Sequence, residues 1–226
     1  MNINHMKLAR VASATYGGVT NLRKLGFDEI IKYKNNHTIA YICVHKGTRQ
    51  VVVAFRGSDD RDDWKTNFSL FKMKSPLNRE VHSGFQKAYD SIKEGLEAYL
   101  KELSGWTAYM TGHSLGGALA TIAAVQLGIK FKEVVVFGAP RVFGSNNEIN
   151  LSNYNVIRYV NKADIVCRVP TIGYAHSGDC YFIDNEGKLK INPSNSYMNL
   201  KGFWKVWRWW KDHSIVEYLK GIKRLK

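Results

Sequence analysis

A serine with a glycine two residues before it and another two residues after it lies near the middle of this 226-residue chain. Residues 108–120 read AYMTGHSLGGALA, which places Ser114 between Gly112 and Gly116. A hydroxyl that attacks a carbonyl carbon is presented by a tight turn between a strand and a helix, where the neighbours two residues away must be small. A strand-like apolar run precedes the serine, and the N-terminus of a small-residue helix, which favours an oxyanion, follows it. The pattern therefore favours Ser114 as a nucleophile.

The serine hydroxyl also needs a general base, and the chain has seven histidines. Where a serine on such a turn works with an acid and a histidine, the chain order is serine, acid, histidine. This order excludes the four histidines that precede His113. His113 itself adjoins the serine too closely for its ring to reach that hydroxyl, so His176 and His213 remain. We favour His213, which lies in a late loop entering the last predicted helix. We expect His176 to be a hydrogen-bonded histidine near the core.

The acid must orient the imidazole and stabilise its charged form. Asp164 follows a predicted strand that ends at Val160, and it lies 50 residues after Ser114 and 49 before His213. Asp212 is the alternative, but the immediate neighbour of His213 is badly placed to orient that ring. We expect Asp212 to be solvated or to cap the helix that follows.

The elements around these residues alternate between strands and helices. Apolar residues spaced by three or four predict a helix over 85–103, and two β-branched runs around Gly47 predict a hairpin. The predicted helices are 5–16, 85–103, 115–127 and 213–223, and the predicted strands are 38–44, 50–55, 106–110, 133–137 and 154–160. This order predicts one α/β domain over residues 1–226, with a mostly parallel central sheet, an antiparallel N-terminal part and helices on both faces.

Composition sets limits on the class of protein. Hydrophobic residues make up 45% of the chain, which allows a sizeable core, and no run reaches the roughly 18 apolar residues of a membrane span. The N-terminus does not resemble a signal peptide. Three widely spaced cysteines, Cys43, Cys167 and Cys180, form neither a disulfide framework nor a metal site and suit a reducing compartment. We therefore expect a cytoplasmic protein, with attachment to a membrane surface and secretion left open.

The net charge of +14 is concentrated towards the C-terminus, where ten Lys and Arg face two acids in residues 187–226. Residues 201–211 hold four of the six tryptophans, interleaved with Lys205, Arg208 and Lys211. Tryptophan favours the headgroup depth of membranes, and cations favour anionic lipid. One interpretation is that residues 203–211 bind an anionic membrane or micelle surface. The other is a set of partly buried aromatic rings covered by flexible cationic side chains.

Six segments resemble the class 3 lipases, the fungal-lipase-like branch of the α/β hydrolases, in the same order along the chain. The segments are VAFRGS at 53–58, VHSGF at 81–85, GHSLGGA at 112–118, GAPR at 138–141, NKADIV at 161–166, and Asp212-His213 with Tyr218 following. The resemblance implies an α/β-hydrolase fold and a serine carboxylic-ester hydrolase, of triacylglycerol lipase or carboxylesterase type, that forms an acyl-enzyme. It implies Ser114, Asp164 and His213 as the catalytic residues and requires no metal or cofactor.

The resemblance also implies residues that would stabilise the oxyanion and cover the site. One oxyanion donor is the backbone N–H of Leu115, the residue after the nucleophile. The second, by resemblance, is Ser58, through its N–H or its hydroxyl. Residues 59–70 resemble the lid of the family, with Trp64 facing the acyl pocket.

Two further classes of function remain open. Phospholipase and acyltransferase activities would use the same three catalytic residues. A basic, tryptophan-rich module could bind membrane or nucleic acid without catalysis. Because such a module has no need of a serine, an acid and a histidine, we expect a lipid or ester substrate and no nucleic-acid partner. We also expect a monomer.

Overall fold

The computed structural model describes residues 1–58, 72–74, 76, 80–145, 151–176, 178–202 and 209–225 of the chain. Within these ranges the strands are β1 (Glu29–Asn35), β2 (Thr38–His45), β3 (Gln50–Phe55), β4 (Lys72–Lys74), β5 (Glu80–His82), β6 (Thr107–His113), β7 (Glu133–Phe137), β8 (Phe143–Gly144), β9 (Val156–Asn161), β10 (Tyr174–Ala175), β11 (Asp179–Ile183) and β12 (Leu189–Ile191). The α-helices are α1 (His5–Ala14), α2 (Gly18–Arg23), α3 (Ser83–Glu102), α4 (Leu115–Gln126), α5 (Asn195–Gly202), α6 (Trp209–Asp212) and α7 (Ile215–Arg224).

The central sheet contains eight of the described strands in the order β1-β2-β3-β6-β7-β9-β11-β12. The first three strands are antiparallel, β3 through β11 are parallel, and β12 returns antiparallel to β11. Phe55 pairs with Gly112, and His113 pairs with Phe137. The carboxyl ends of β3, β6 and β7 therefore meet at one edge of the sheet, where ligands of parallel α/β sheets bind.

Helices cover both faces of this sheet because its parallel strands are apolar on both sides. Val134 and Val136 pack into a core with α3 and α4, whereas Val135 and Phe137 pack into a second core with α1 and α7. Helix α4 is buried from Gly116 to Val125, as its small and apolar residues predict. Helix α4 therefore starts at the carboxyl end of β6, with one residue between the strand and the helix.

The structure confirms the predicted mostly parallel sheet, the antiparallel hairpin in its N-terminal part and helices on both faces. The predicted helix over 85–103 is α3, and the predicted helix over 213–223 begins two residues later, at Ile215. Strand β1 and the small antiparallel sheet of β10, β8, β5 and β4 were not predicted. Among the described residues, no helix combines the length and apolar character that crossing a bilayer requires.

Candidate active site

Ser114 occupies a turn between β6 and α4, with a φ angle of 59° and a ψ angle of −128°. A positive φ is unfavourable for a residue with a side chain, and it persists only where the surroundings enforce it. Here the N–H of Ser114 donates to the carbonyl of Phe137 at 3.0 Å, while its own carbonyl accepts from Gly117 and Ala118 in α4. The turn is therefore held from the neighbouring strand and from the helix.

The two glycines of the motif allow the main chain to approach closely at this turn. A Cβ on Gly112 would overlap the main chain of Gly116, and a Cβ on Gly116 would overlap the carbonyl of Phe55 at the end of β3. The spacing of the motif thus follows from packing β6, α4 and β3 against one another.

His213 lies in the turn between α6 and α7, 99 residues after Ser114 in the chain. Its Nε2 is 2.9 Å from the Oγ of Ser114, and its Nδ1 is 3.0 Å from each carboxylate oxygen of Asp164. Because a carboxylate only accepts, Nδ1 carries the proton and Nε2 presents its lone pair to the serine hydroxyl. The structure therefore brings Ser114, His213 and Asp164 together in an arrangement that can take the proton from the serine.

Asp164 is fully buried after β9, and several donors satisfy its carboxylate. The N–H of Val166 donates to Oδ1 at 2.9 Å, the hydroxyl of Tyr218 donates to Oδ2 at 2.6 Å, and the thiol of Cys167 lies 3.5 Å from Oδ2. Burial by itself raises the pKa of Asp164, but the positive charge that His213 can carry and the hydrogen bonds from His213, Tyr218 and Val166 outweigh it. The pKa of Asp164 is therefore lowered, and the carboxylate stays charged.

His113 is a member of the site that the sequence analysis set aside. Its ring is buried, with Nδ1 at 2.7 Å from the hydroxyl of Tyr16 and Nε2 at 2.7 Å from the carbonyl of His213. Burial, followed by repulsion from His213, lowers the pKa of His113 to about 3, so its ring is neutral. Asn161, at the end of β9, was also missed, and its Nδ2 donates to the carbonyl of Asp212 at 2.9 Å.

Of the two predicted oxyanion donors, Leu115 follows Ser114 directly and Ser58 follows a glycine that lies beside Ser114. Leu115 is the first residue of α4, where backbone N–H groups have no partner within the helix. Ser58 follows Gly57, and a Cβ on Gly57 would lie 3.3 Å from the Cβ of Ser114. The residues after β3 thus run beside the serine.

Two predicted segments lie outside the described residues. These are the lid-like segment 59–70 with Trp64, and residues 203–208 of the predicted membrane-binding segment.

The two alternatives for the base and the acid have other surroundings. His176 is half-buried, and its Nε2 donates to the carbonyl of Cys167 at 2.6 Å, in agreement with the predicted hydrogen-bonded role. Burial, followed by repulsion from Arg158, lowers the pKa of His176 well below its ordinary value. The expectation that Asp212 is solvated or caps a helix was wrong. Asp212 is buried at the end of α6, its Oδ2 accepts from the N–H of Ala163 at 3.4 Å, and Ser214 is the N-cap of α7.

Comparison with known proteins identifies the family of the chain. A family model described as lipase (class 3) matches residues 52–174, a span that includes Ser114 and Asp164 but ends before His213. The secreted mono- and diacylglycerol lipase 1 of Fusarium solani is 31% identical over 159 residues, which are 64% of this chain and 47% of that protein. The lipase of Rhizomucor miehei is 28% identical over 180 residues, 70% of this chain and 48% of that protein. The chain spans about half the length of these curated relatives.

A solved structure shows the fold. Lipase II from Rhizopus niveus superposes with a TM-score of 0.71 at 22% identity, over 84% of this chain and 83% of that one. The predicted α/β-hydrolase fold is therefore confirmed.

Proposed function

The chain belongs to the class 3 lipase family, and from that membership we propose that it is a serine carboxylic-ester hydrolase. The proposed substrates are acyl esters of lipids, such as triacylglycerols. The observation that carries the proposal is the continuous set of contacts from Ser114 Oγ through the His213 ring to the buried carboxylate of Asp164. An acyl ester suits this set because it offers a carbonyl carbon for the hydroxyl and an alcohol leaving group that the imidazole can protonate.

In the proposed mechanism, Ser114 Oγ bonds to the acyl carbon while its proton moves to Nε2 of His213. Asp164, which is charged and buried, stabilises the resulting imidazolium through Nδ1. The carbonyl oxygen becomes an oxyanion that accepts from the N–H of Leu115 and from Ser58, contacts worth roughly 3–4 kcal/mol each. Collapse of this intermediate breaks the ester C–O bond, and His213 gives its proton to the departing alcohol. Water, deprotonated by the same imidazole, then cleaves the acyl-enzyme and restores the serine.

The setting of the enzyme is proposed on the same basis. We propose that residues 1–226 form one monomeric domain, that residues 59–70 with Trp64 cover the acyl site, and that residues 203–211 bind anionic lipid surfaces. Pelleting with anionic but not neutral vesicles is expected, and equal, negligible pelleting with both would contradict the surface role.

We propose a cytoplasmic location, which the three buried free thiols support. Recovery of the protein from the culture medium of its source would contradict it.

The activity is tested with chromogenic esters of short, medium and long acyl chains, with Ser114→Ala as the control. We expect wild-type turnover and a loss of at least about 10⁵-fold in the variant, since the nucleophile is absent. Absence of turnover with every ester, together with a salt-dependent shift of labelled DNA, would contradict the proposal and favour a binding module.

The same preparation separates the alternatives that share the catalytic residues. Release of fatty acid from a triacylglycerol but not from a diacyl phospholipid supports the lipase, whereas preference for the phospholipid supports a phospholipase. An added alcohol that accepts most of the acyl groups in place of water would indicate an acyltransferase.

A further inference from the structure

Two consecutive carbonyls next to the proposed base are bound by side chains from other parts of the chain. We call residues 212–214, which contain His213, the base loop. Nδ2 of Asn161 donates to the carbonyl of Asp212 at 2.9 Å, and Nε2 of His113 donates to the carbonyl of His213 at 2.7 Å. These bonds join residues that are 51 and 100 positions apart in the chain. They hold the main chain of the base loop rather than its imidazole.

Each donor belongs to a strand that delivers another member of the proposed catalytic set. His113 ends β6 and is covalently bonded to Ser114, while Asn161 ends β9, three residues before Asp164. The main chain of His213 is therefore tied by one hydrogen bond to the nucleophile's strand and by another to the acid's strand.

The chemical state of His113 follows from its partners. A carbonyl oxygen only accepts, so Nε2 of His113 must carry a proton. In a neutral ring Nδ1 then accepts, and the hydroxyl of Tyr16 donates to it at 2.7 Å. The ring centroids of His113 and His213 are 4.7 Å apart, so a charge on His113 would oppose the imidazolium that forms on His213. Burial keeps His113 neutral and removes that conflict.

The side chain of Asn161 is unfavourable for stability at its buried position. It is fully buried, and its Oδ1 has no hydrogen-bond partner among the described residues. Burial of an unpaired acceptor is unfavourable, so an apolar side chain of similar size would suit a merely structural position better. Asn161 differs from such an apolar residue in supplying the Nδ2 hydrogen bond to the base loop.

We propose that His113 and Asn161 are positioning residues that hold the base loop through its two carbonyls and thereby keep the His213 imidazole within reach of Ser114. This role rests on the proposed hydrolase function. The imidazole must accept a proton from the serine and then deliver it to the leaving alcohol, and both transfers need Nε2 at hydrogen-bond distance. Neither positioning residue is placed to bind the acyl chain, so their loss lowers kcat and leaves KM nearly unchanged.

The test uses a soluble short-chain ester and the full chain. His113→Leu and Asn161→Leu remove the donors, and we expect each to lower kcat about 10- to 100-fold, the scale of a misplaced catalytic group, with KM within about 2-fold. His113→Gln retains an N–H donor and should stay within about 3-fold of wild type. His5→Leu and Asn35→Leu, which remove the side-chain hydrogen bonds to the Tyr159 hydroxyl and to the Ser91 carbonyl, are controls and should leave kcat unchanged.

The double variant His113→Leu/Asn161→Leu sharpens the result. Because both bonds hold one loop, its loss of kcat should be smaller than the product of the two single losses. Wild-type kcat in a folded His113→Leu variant, a KM that rises as much as kcat falls, or a His113→Gln variant as poor as His113→Leu would overturn the inference. If His113→Leu does not fold, Asn161→Leu and Tyr16→Phe decide, because each leaves His113 in place, and a wild-type kcat in both overturns it.

Failure of the inference differs from failure of the proposed function. Wild-type protein without turnover, or a Ser114→Ala variant that retains turnover, would contradict the function itself. Normal wild-type turnover that depends on Ser114 but not on His113 or Asn161 would contradict only their positioning role.

Discussion

Ser114 Oγ and His213 Nε2 lie 2.9 Å apart. The turn that carries Ser114 and the base loop that carries His213 are held in place by different means. The first is built from one contiguous segment, β6-turn-α4, whose glycines allow main chains to touch. The second is held by side-chain hydrogen bonds to its main chain, and the carboxylate of Asp164 beside it accepts a hydrogen bond from the hydroxyl of Tyr218. The proposed nucleophile is thus positioned by backbone packing, whereas the proposed base and acid are positioned by polar contacts from distant residues.

The two means respond differently to substitution. Packed main chains tolerate no added atom, so a change at the serine turn should cost stability. A hydrogen bond to the base or the acid can be removed with less loss of stability, and the loss should fall on catalysis.

The largest effect is expected at the acid. Asp164→Asn should lower kcat about 10⁴-fold because the amide no longer fixes the His213 tautomer or stabilises its charge. The near-UV circular dichroism spectrum should stay close to that of wild type. Asp212→Asn is the matched control, since Asp212 is equally buried but contacts Ala163 instead of the imidazole. A greater loss in the control than in Asp164→Asn would identify the wrong acid.

The next effect is a loss of stability at the serine turn. Gly116→Ala places a Cβ against the carbonyl of Phe55, so the free energy of unfolding should fall by about 3 kcal/mol, measured by urea unfolding. Gly105→Ala is the control, because Gly105 has a positive φ of 79°, which Gly116 lacks, but no described atom lies within 4 Å of the added Cβ. It should cost about 1 kcal/mol. Equal losses at the two positions would refute the close-packing account.

A smaller effect concerns the pH dependence of stability. The pKa of His113 is about 3 in the folded protein against an ordinary value of 6.5, so between these values the unfolded chain binds a proton that the folded one does not. Stability must therefore fall as the pH falls from 6.5 towards 3, by at most about 1.4 kcal/mol per pH unit from this group. Asp164, whose pKa is lowered, acts in the same direction as the pH falls through its folded value.

Urea unfolding at pH 6 and pH 4 measures this contribution. His113→Gln should lose about 2 kcal/mol less than wild type over that interval, because its side chain does not titrate. His37→Gln, at an exposed histidine, should follow the wild-type curve. Identical slopes for wild type and His113→Gln would show that His113 is not held neutral.

The smallest effect is expected from loss of the Tyr218 hydroxyl, which donates to the carboxylate of Asp164. Tyr218→Phe removes the 2.6 Å hydrogen bond to Asp164 and should lower stability by about 1 kcal/mol and kcat about 10-fold. Tyr89→Phe is a close control, since the buried hydroxyl of Tyr89 has no partner among the described residues. It should leave kcat unchanged and stability equal or higher. A loss of kcat in Tyr89→Phe as large as in Tyr218→Phe would indicate a general packing effect.

The same contrast explains how much the sequence could predict. The serine turn, α3 and the β2–β3 hairpin depend on local patterns of glycine, apolar spacing and β-branched residues, and the structure agrees with each. Strand β1 was missed because it is an edge strand whose exposed side carries lysines and lacks an apolar run.

The roles of His113 and Asn161 had no local signal. Tyr16 and His113 are 97 residues apart, and His113 and His213 are 100 apart, so only the folded topology joins them. Asp212 was misjudged for a related reason. An acid beside a histidine at a helix start looks solvated in sequence, whereas here Asp212 is buried and accepts from the N–H of Ala163, the residue before Asp164.

The most direct test of the account is the reaction of the chain with a p-nitrophenyl alkylphosphonate. Attack by the activated serine forms a stable phosphonyl ester and releases p-nitrophenolate, whose absorbance gives the rate. Peptide mass spectrometry should find one adduct, on Ser114, and His213→Gln should slow its formation by at least about 10³-fold. An adduct on another residue, or labelling of Ser114 at the same rate in His213→Gln, would contradict the claim that His213 activates Ser114.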